Sequence, residues 1–335
     1  MVEFADFSLP LNYGSQIQEH TAVRKDAGMF DVSHMQVSDI KGSGAKDYLR
    51  YLLSNDVDRI NKGKALYSCM LNEKGGIIDD LIVYYLQDDY FRIVSNGATR
   101  DKDLSWMQKI LKDFNAKLEP REDLSILAVQ GPNARQKVLD VLSNSDNIST
   151  LGRFYAAESD AIFVSRTGYT GEDGFEIITD GAKINTIWDS LVEQGITACG
   201  LGARDSLRLE AGMMLYGSDM DESNHPFESG LKWTVSMTER EFSGKNSLEN
   251  ILKTGVPNKM IGLTLQEKGI MRHGQEVFVN NAKVGQITSG GFSPMLEKSI
   301  AFARVHKNIQ DLCQVKIRDK FLVADVGSLD FVKYA

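Results

Sequence analysis

Residues 72–85 read NEKGGIIDDLIVYY, and the fold reading turns on this stretch. Its polar start carries paired glycines, Gly75 and Gly76, which can take the positive φ of a hairpin turn. A β-branched run follows, with two carboxylates, Asp79 and Asp80, inside it. Side chains alternate along a strand, so Asp80 is expected beside Ile78 and Ile82, and Asp79 on the opposite face beside Ile77 and Leu81. Both faces are apolar, which predicts a strand covered on both sides. A carboxylate there must be paired, hydrogen-bonded or protonated. Two acids where a strand calls for aliphatics mark a functional site, or else a turn anchor and an arginine partner. Spacing alone leaves both readings open.

Composition narrows the class. The chain has 335 residues, 42% hydrophobic and 25% charged, as expected of a globular protein of two or three domains. The formal net charge of -8 and the lack of any basic cluster argue against nucleic acid as a partner. Cys69, Cys199 and Cys313 are odd in number, far apart and set in apolar segments, so they read as reduced core thiols of a cytoplasmic protein. The five histidines show no metal-ligand spacing, and no metal is expected. No apolar run reaches the length of a membrane span, and no membrane partner is expected. The start, MVEFADFSLPL, is acidic and does not read as a signal or transit peptide.

Periodicity predicts an α+β protein. Strand patterns at 36–41, 65–71, 77–86 and 90–95 interleave with helical patterns after Gly44 and after Asn96, the latter reading as an N-cap. A second block repeats the mixture: strands at 124–130, 161–166 and 175–178, then helices at 183–194 and 203–214. The blocks, 36–115 and 123–215, are expected to form ferredoxin-like α+β lobes, although no sequence repeat relates them. After 256 only short strand patterns remain, separated by Gly and Asn turns, which predicts a β-barrel or jelly-roll domain over 257–335. Residues 1–256 form the other unit, with 236–258 as connector.

Three further polar clusters could carry chemistry. The loop 167–174 runs into Glu176, either as acceptors for a ligand's N–H groups or as a turn with solvated acids. Arg204 and Arg208 lie one helical turn apart, and a salt-bridge ladder with Asp205 and Glu210 is the plainer reading. His34, in the turn 31–35, is more often structural than catalytic in such a place. None of these patterns names a reaction.

At these same clusters the chain resembles the T-protein family of the glycine cleavage system, the tetrahydrofolate-dependent aminomethyltransferases. The resemblance is carried by MFDVSHM (29–35), GKALYSCMLNEKGGIIDDLIVYY (63–85), VSNGATRDKDLSW (94–106), AVQGPNA (128–134), RTGYTGEDGFEI (166–177), GLGARDSLRLEAGMMLYGSDMDE (200–222) and ITSGGFSPMLEKSIAFARV (287–305). It implies a cloverleaf: two α+β lobes around a central folate cavity, plus the C-terminal barrel. It further implies that Asp80 is the essential carboxylate beside the reactive folate nitrogens and that Glu176 faces the pterin's N–H edge. Arg204 would add a polar contact, Met35, Tyr67 and Tyr169 the pocket walls, and the tail 331–334 a returning segment whose Tyr334 touches ligand. The implied substrates are tetrahydrofolate and the lipoylated H-protein.

The chain departs from the family at Asp6-Phe7, where members commonly carry Gly-Trp, and it lacks some twenty residues with which members usually begin. Two other functions share the fold: folate-dependent demethylation of a small substrate, and folate binding without turnover in support of iron–sulfur enzymes. The second usually carries a Lys-Gly-Cys-Tyr signature, absent at 204–210.

Overall fold

The computed structural model describes residues 1–142, 146–309 and 311–333. The chain opens with a small hairpin, β1 (Val2–Phe4) and β2 (Phe7–Leu9), then α1 (Gln16–Lys25) and β3 (Gly28–Asp31). A first lobe follows: β4 (Gln36–Lys41), α2 (Ala45–Leu52), β5 (Ala65–Leu71), β6 (Ile77–Gln87), β7 (Tyr90–Ser95), α3 (Arg100–Leu111) and β8 (Lys117–Pro120). Its five strands form one sheet in the order β5-β6-β7-β4-β8, antiparallel throughout. This is a ferredoxin-like βαββαβ unit with one strand added at the edge.

The second lobe holds β9 (Leu124–Gln130), α4 (Ala134–Val141), α5 (Asp146–Ser149), β10 (Ala156–Ser159), β11 (Ile162–Ser165), β12 (Gly174–Asp180), α6 (Gly181–Glu193), β13 (Thr197–Ala198) and α7 (Leu201–Glu210). Its sheet runs β10-β11-β12-β9-β3-β13. With β3 set aside, that order and the chain order of strands match the first lobe element for element. The repeat that sequence did not show is therefore present in the topology. The strand from before the first lobe is inserted into the second, pairing antiparallel with β9 and parallel with β13.

Each sheet covers one face with its own helices. Leu49, Leu52, Val83, Phe91, Ile93 and Met107 fill that layer in the first lobe; Leu127, Val129, Val138, Phe175, Ile187 and Leu191 fill it in the second. The two other faces meet through Tyr84, Val94, Ile126, Ala128, Phe163 and Ile178. That arrangement explains why β6 is apolar on both sides. The alternation along β6 departs from expectation at one point. Ile78 joins the helix-side cluster with Leu81, because the pairing with β5 slips between Met70 and Leu71. A bulge reverses which face neighbouring side chains take. The glycines before β6 act differently from each other. Gly75 takes φ +82°, while a Cβ on Gly76 would lie 1.8 Å from the Glu222 carbonyl oxygen.

Past α8 (Lys245–Thr254) come β14 (Asn258–Leu265), β15 (Glu276–Val279), β16 (Ala282–Ser293), β17 (Lys298–His306), β18 (Leu312–Ile317) and β19 (Lys320–Gly327). They close as a barrel in the order β14-β17-β16-β15-β18-β19. Met260, Ile300 and Phe302 of the barrel pack with Leu71 and Ile77 of the first lobe and Leu209 of α7. Buried polar bonds lock the same joint. Arg208 donates to Asp219 at 2.8 Å and to Ser289 at 2.9 Å, and Ser293 donates to Glu210 at 2.5 Å. Arg208 and Glu210 are thus structural, and one rung of the expected ladder is present, Arg208 to Asp205 at 2.9 Å. Glu210 pairs with His20 and Arg24 of α1 instead. All three cysteines are free and buried.

Candidate active site

Asp80 sits near the start of β6, on the face turned toward the second lobe. Tyr67, its neighbour on β5, donates its hydroxyl to Asp80 Oδ2 at 2.7 Å. The Asn96 side-chain amide donates to Asp80 Oδ1 at 3.0 Å. Both partners are neutral, so no cation offsets the cost of holding this charge away from water. Burial pushes the Asp80 carboxyl up to about 7; the neighbouring Asp79 adds to the rise, and the Tyr67 and Asn96 bonds oppose it. The arginine partner that the plainer reading required is not among the bonded groups.

The second lobe supplies the opposite wall. Glu176, on β12, accepts from the Thr167 hydroxyl at 2.5 Å and is raised by burial. Arg204, on α7, makes no carboxylate ion pair among the described residues. Its guanidinium lies 4.7 Å from the centre of the Tyr169 ring, and its Nη2 is 3.9 Å from Met35 Sδ. Desolvation lowers its pKa, the mark of a buried cation short of anionic partners. Tyr169 is held by its hydroxyl, which donates to the Met214 carbonyl. The other loop acids are committed elsewhere: Glu172 pairs with Arg24 and Asp173 with Arg166.

Met35, Tyr67, Asp80, Tyr169, Glu176 and Arg204 share one property. Each retains some solvent-accessible surface. Yet desolvation is the leading influence on all five of these that titrate. Side chains set deep in the protein that still keep open surface line a recess, here between the two lobes. Two other cavities lie outside it. One of about 10 Å³ adjoins Arg204 beneath Pro10; one of about 460 Å³ lies between the N-terminal hairpin and the start of α3, lined by Phe7, His34, Thr99, Arg100 and Lys102. Neither is lined by Asp80.

Residues 1–239 match the GCVT N-terminal domain family, and residues 258–333 match the glycine cleavage T-protein C-terminal barrel domain. The chain belongs to the glycine cleavage T-protein family. It is 52% identical to the aminomethyltransferase of Legionella pneumophila (strain Paris), covering 99% of this chain and 94% of that one. The aminomethyltransferase of Xanthomonas axonopodis pv. citri (strain 306) is 49% identical over 99% of this chain and 92% of its own. The crystal structure of glycine cleavage system aminomethyltransferase T from Bartonella henselae superposes with a TM-score of 0.93. It is 32% identical over 99% of this chain and 93% of that chain. Fold and family thus agree with the resemblance read from the motifs.

Six of the seven residues singled out from the sequence converge on the recess; the seventh, Tyr334, lies outside the described residues. The tail before it packs at the end of α7, where Phe331 N–H donates to the Glu210 carbonyl at 2.9 Å. His34 lies outside the recess and lines the larger of the two other cavities. It packs edge-on against Phe4, and burial lowers it to about 4, so it is neutral near pH 7. Asn96 corrects an expectation. It does not cap a helix with its side chain; a 3-10 turn, Gly97–Thr99, precedes α3, and the amide reaches back to Asp79 and Asp80. The sequence signal was real, but a cap and a site ligand use the same residue type. Trp233 had no sequence signal. It stacks on Tyr67 at 5.3 Å with 60% of its surface exposed, so it extends the aromatic wall outward.

Proposed function

We propose that this chain is the tetrahydrofolate-dependent aminomethyltransferase of the glycine cleavage system. The observation that carries the reading is Asp80: a carboxylate without a cation, at the edge of a recess, held by two neutral donors and pushed up to about 7. The reaction takes the methylene of an aminomethyl thioether on the H-protein's dihydrolipoyl arm. Two bonds to folate nitrogens form while the carbon–sulfur and carbon–ammonia bonds break. The two displaced folate N–H protons end on ammonia and on the arm's thiol. Cationic iminium character develops on the carbon between those steps. A fixed carboxylate in a desolvated site stabilises that charge, and one poised near neutrality can also take a proton.

The other residues fit a reduced folate. Glu176 is an acceptor for the pterin's amino and ring N–H donors; Arg204 is a cation with spare donors for a ring oxygen or the anionic tail. Met35, Tyr67, Tyr169 and the exposed face of Trp233 offer apolar surface to flat rings. We assign the tail to the same cavity wall, and residues 1–256 and 257–335 to the folate-binding unit and the barrel. Cytoplasmic location fits these substrates, and no described helix is long and apolar enough to cross a membrane.

The test is direct. Purified protein, tetrahydrofolate and aminomethylated H-protein should yield methylenetetrahydrofolate and ammonia in equal amounts, and calorimetry should show one folate per chain. Folate binding with no transfer from H-protein, but with transfer from a small methylated amine, would replace this reading with demethylation.

A further inference from the structure

Asp79 was expected to stand apart from Asp80 on the other face of β6. It is fully buried, and it is not independent. The Asn96 side-chain amide, with two hydrogens, faces three acceptors: Asp79 Oδ1 at 2.9 Å, Asp80 Oδ1 at 3.0 Å and the Asp80 carbonyl at 3.2 Å. The Asn96 backbone N–H donates to Asp79 Oδ2 at 3.1 Å. One residue therefore grips both carboxylates from opposite faces of the strand.

On its far side Asp79 faces Asp103 of α3, equally buried, and each carboxyl acts directly on the other. Asp103 Oδ2 accepts from the Thr99 hydroxyl at 2.8 Å, whereas Asp103 Oδ1 has no ordinary donor. Lys102, the nearest cation in sequence, turns away to Glu222 at 3.0 Å and Tyr216 at 2.6 Å. A buried carboxylate oxygen requires a donor. Two carboxyls can hydrogen-bond to each other only with a proton between them, and two like charges in contact cannot both ionise.

We infer that Asp79 and Asp103 share one proton as an acid–carboxylate pair, and that this pair, acting through Asn96, sets the orientation and charge of Asp80. Asp79 and Asp103 are then positioning residues, and their role rests on Asp80 being the reactive carboxylate. Burial first, and then Asp103, raise Asp79 well above the ordinary carboxylate range, while Asp103 reaches only about 6. The other titratable groups facing the cluster are Tyr67 and Cys69 on β5, Tyr169 in the second lobe, Tyr216 and Lys102. Both tyrosine hydroxyls nearest Asp80, and the Cys69 thiol, are raised and neutral near pH 7.

The test has two arms. At pH 9, above Asp80's value of about 7, infrared spectra of the wild-type protein should retain the carbonyl stretch of a protonated carboxyl. The band should vanish in Asp79→Asn and in Asp103→Asn, and persist in Asp80→Asn and Glu176→Gln. Carboxyl carbon-13 spectra of labelled wild-type aspartates provide the same answer without any variant. One aspartate should stay protonated at pH 9, and an all-ionised spectrum overturns the inference. A band surviving in Asp103→Asn overturns the sharing as well. The second arm is the pH profile of Asp103→Asn. With an amide beside it Asp79 ionises, and the charge moves toward Asp80. The acid limb of turnover should shift up by about one pH unit, an approximately fivefold loss at pH 7 that recovers by pH 9. An equal loss at every pH marks a structural role only and overturns the positioning claim. The spectra need no substrate, so they judge the shared proton even if the transferase reading fails.

Discussion

The two lobes share one topology and use it differently. In both, the fourth strand of the lobe, β7 or β12, leads toward the next helix through a short polar side chain. In the second lobe that residue is Asp180, which caps α6 by accepting from Ala182 N–H at 3.1 Å and Lys183 N–H at 3.0 Å. In the first lobe it is Asn96, whose side chain is withdrawn from capping and turned onto Asp79 and Asp80. The same contrast runs through the charges. In the second lobe the acids of the loop before β12 pair with arginines, Glu172 with Arg24 and Asp173 with Arg166. The first lobe gathers Asp79, Asp80 and Asp103 without an ion pair among the described residues, and all three are raised mainly by burial. A lobe that gives up its helix cap and tolerates three close acids loses stability there, and such losses concentrate at functional sites.

The comparison is most severely tested at Asp80. Asp80→Asn keeps the shape and removes the charge, and turnover of methylenetetrahydrofolate should fall roughly a hundredfold or more. Its stability should move the opposite way. The folded protein keeps the Asp80 proton up to about 7, while an unfolded aspartate releases it near ~3.9. Stability from this group is therefore present below that lower value and is lost as pH rises to 7. Thermal melts should show the variant more stable than wild type at pH 8 and matching it at pH 4. For the same reason wild-type turnover should fall as pH drops through 7, since only the carboxylate stabilises positive charge.

The binding side of the second lobe is probed by Glu176→Ala. Folate affinity, measured calorimetrically, should weaken by about 1–3 kcal/mol as pterin donors lose a buried acceptor. Unchanged affinity would place the pterin elsewhere. Next comes Asn96→Ala, with about a tenfold loss of turnover, near the scale of a hydrogen bond to a charged group. The Asn96 bond lowers Asp80, so its removal should also raise the acid limb of the pH profile. The smallest effect belongs to the matching position in the other lobe. Asp180→Ala should cost about 1 kcal/mol of stability, read from denaturant melts, and leave turnover unchanged. Equal activity losses at Asn96 and Asp180 would erase the distinction between the lobes.

The sequence by itself carried the local elements and most of the candidate site. Periodicity placed the barrel strands and most strands of both lobes, because each has a buried face that imposes its own pattern; the short β3, β8, β10 and β13 went unread. The misfit of two acids in β6 marked the site, since a polar residue on an apolar face is visible in one dimension. Resemblance then brought in Glu176 and Arg204, whose local spacing fitted an ion-pair ladder or a solvated turn equally well. Only the tertiary structure decided what depends on distant partners. The likeness of the lobes was invisible because topology constrains strand order, not residue identity, and because β3 is inserted into the second sheet from outside its block. Arg208 and Arg204 parted ways because Asp219 and the barrel reach the first and leave the second facing Tyr169. Asp79 looked independent of Asp80 because a strand sends neighbours to opposite faces. Asn96, more than fifteen residues on, stands at the strand's edge and reaches both.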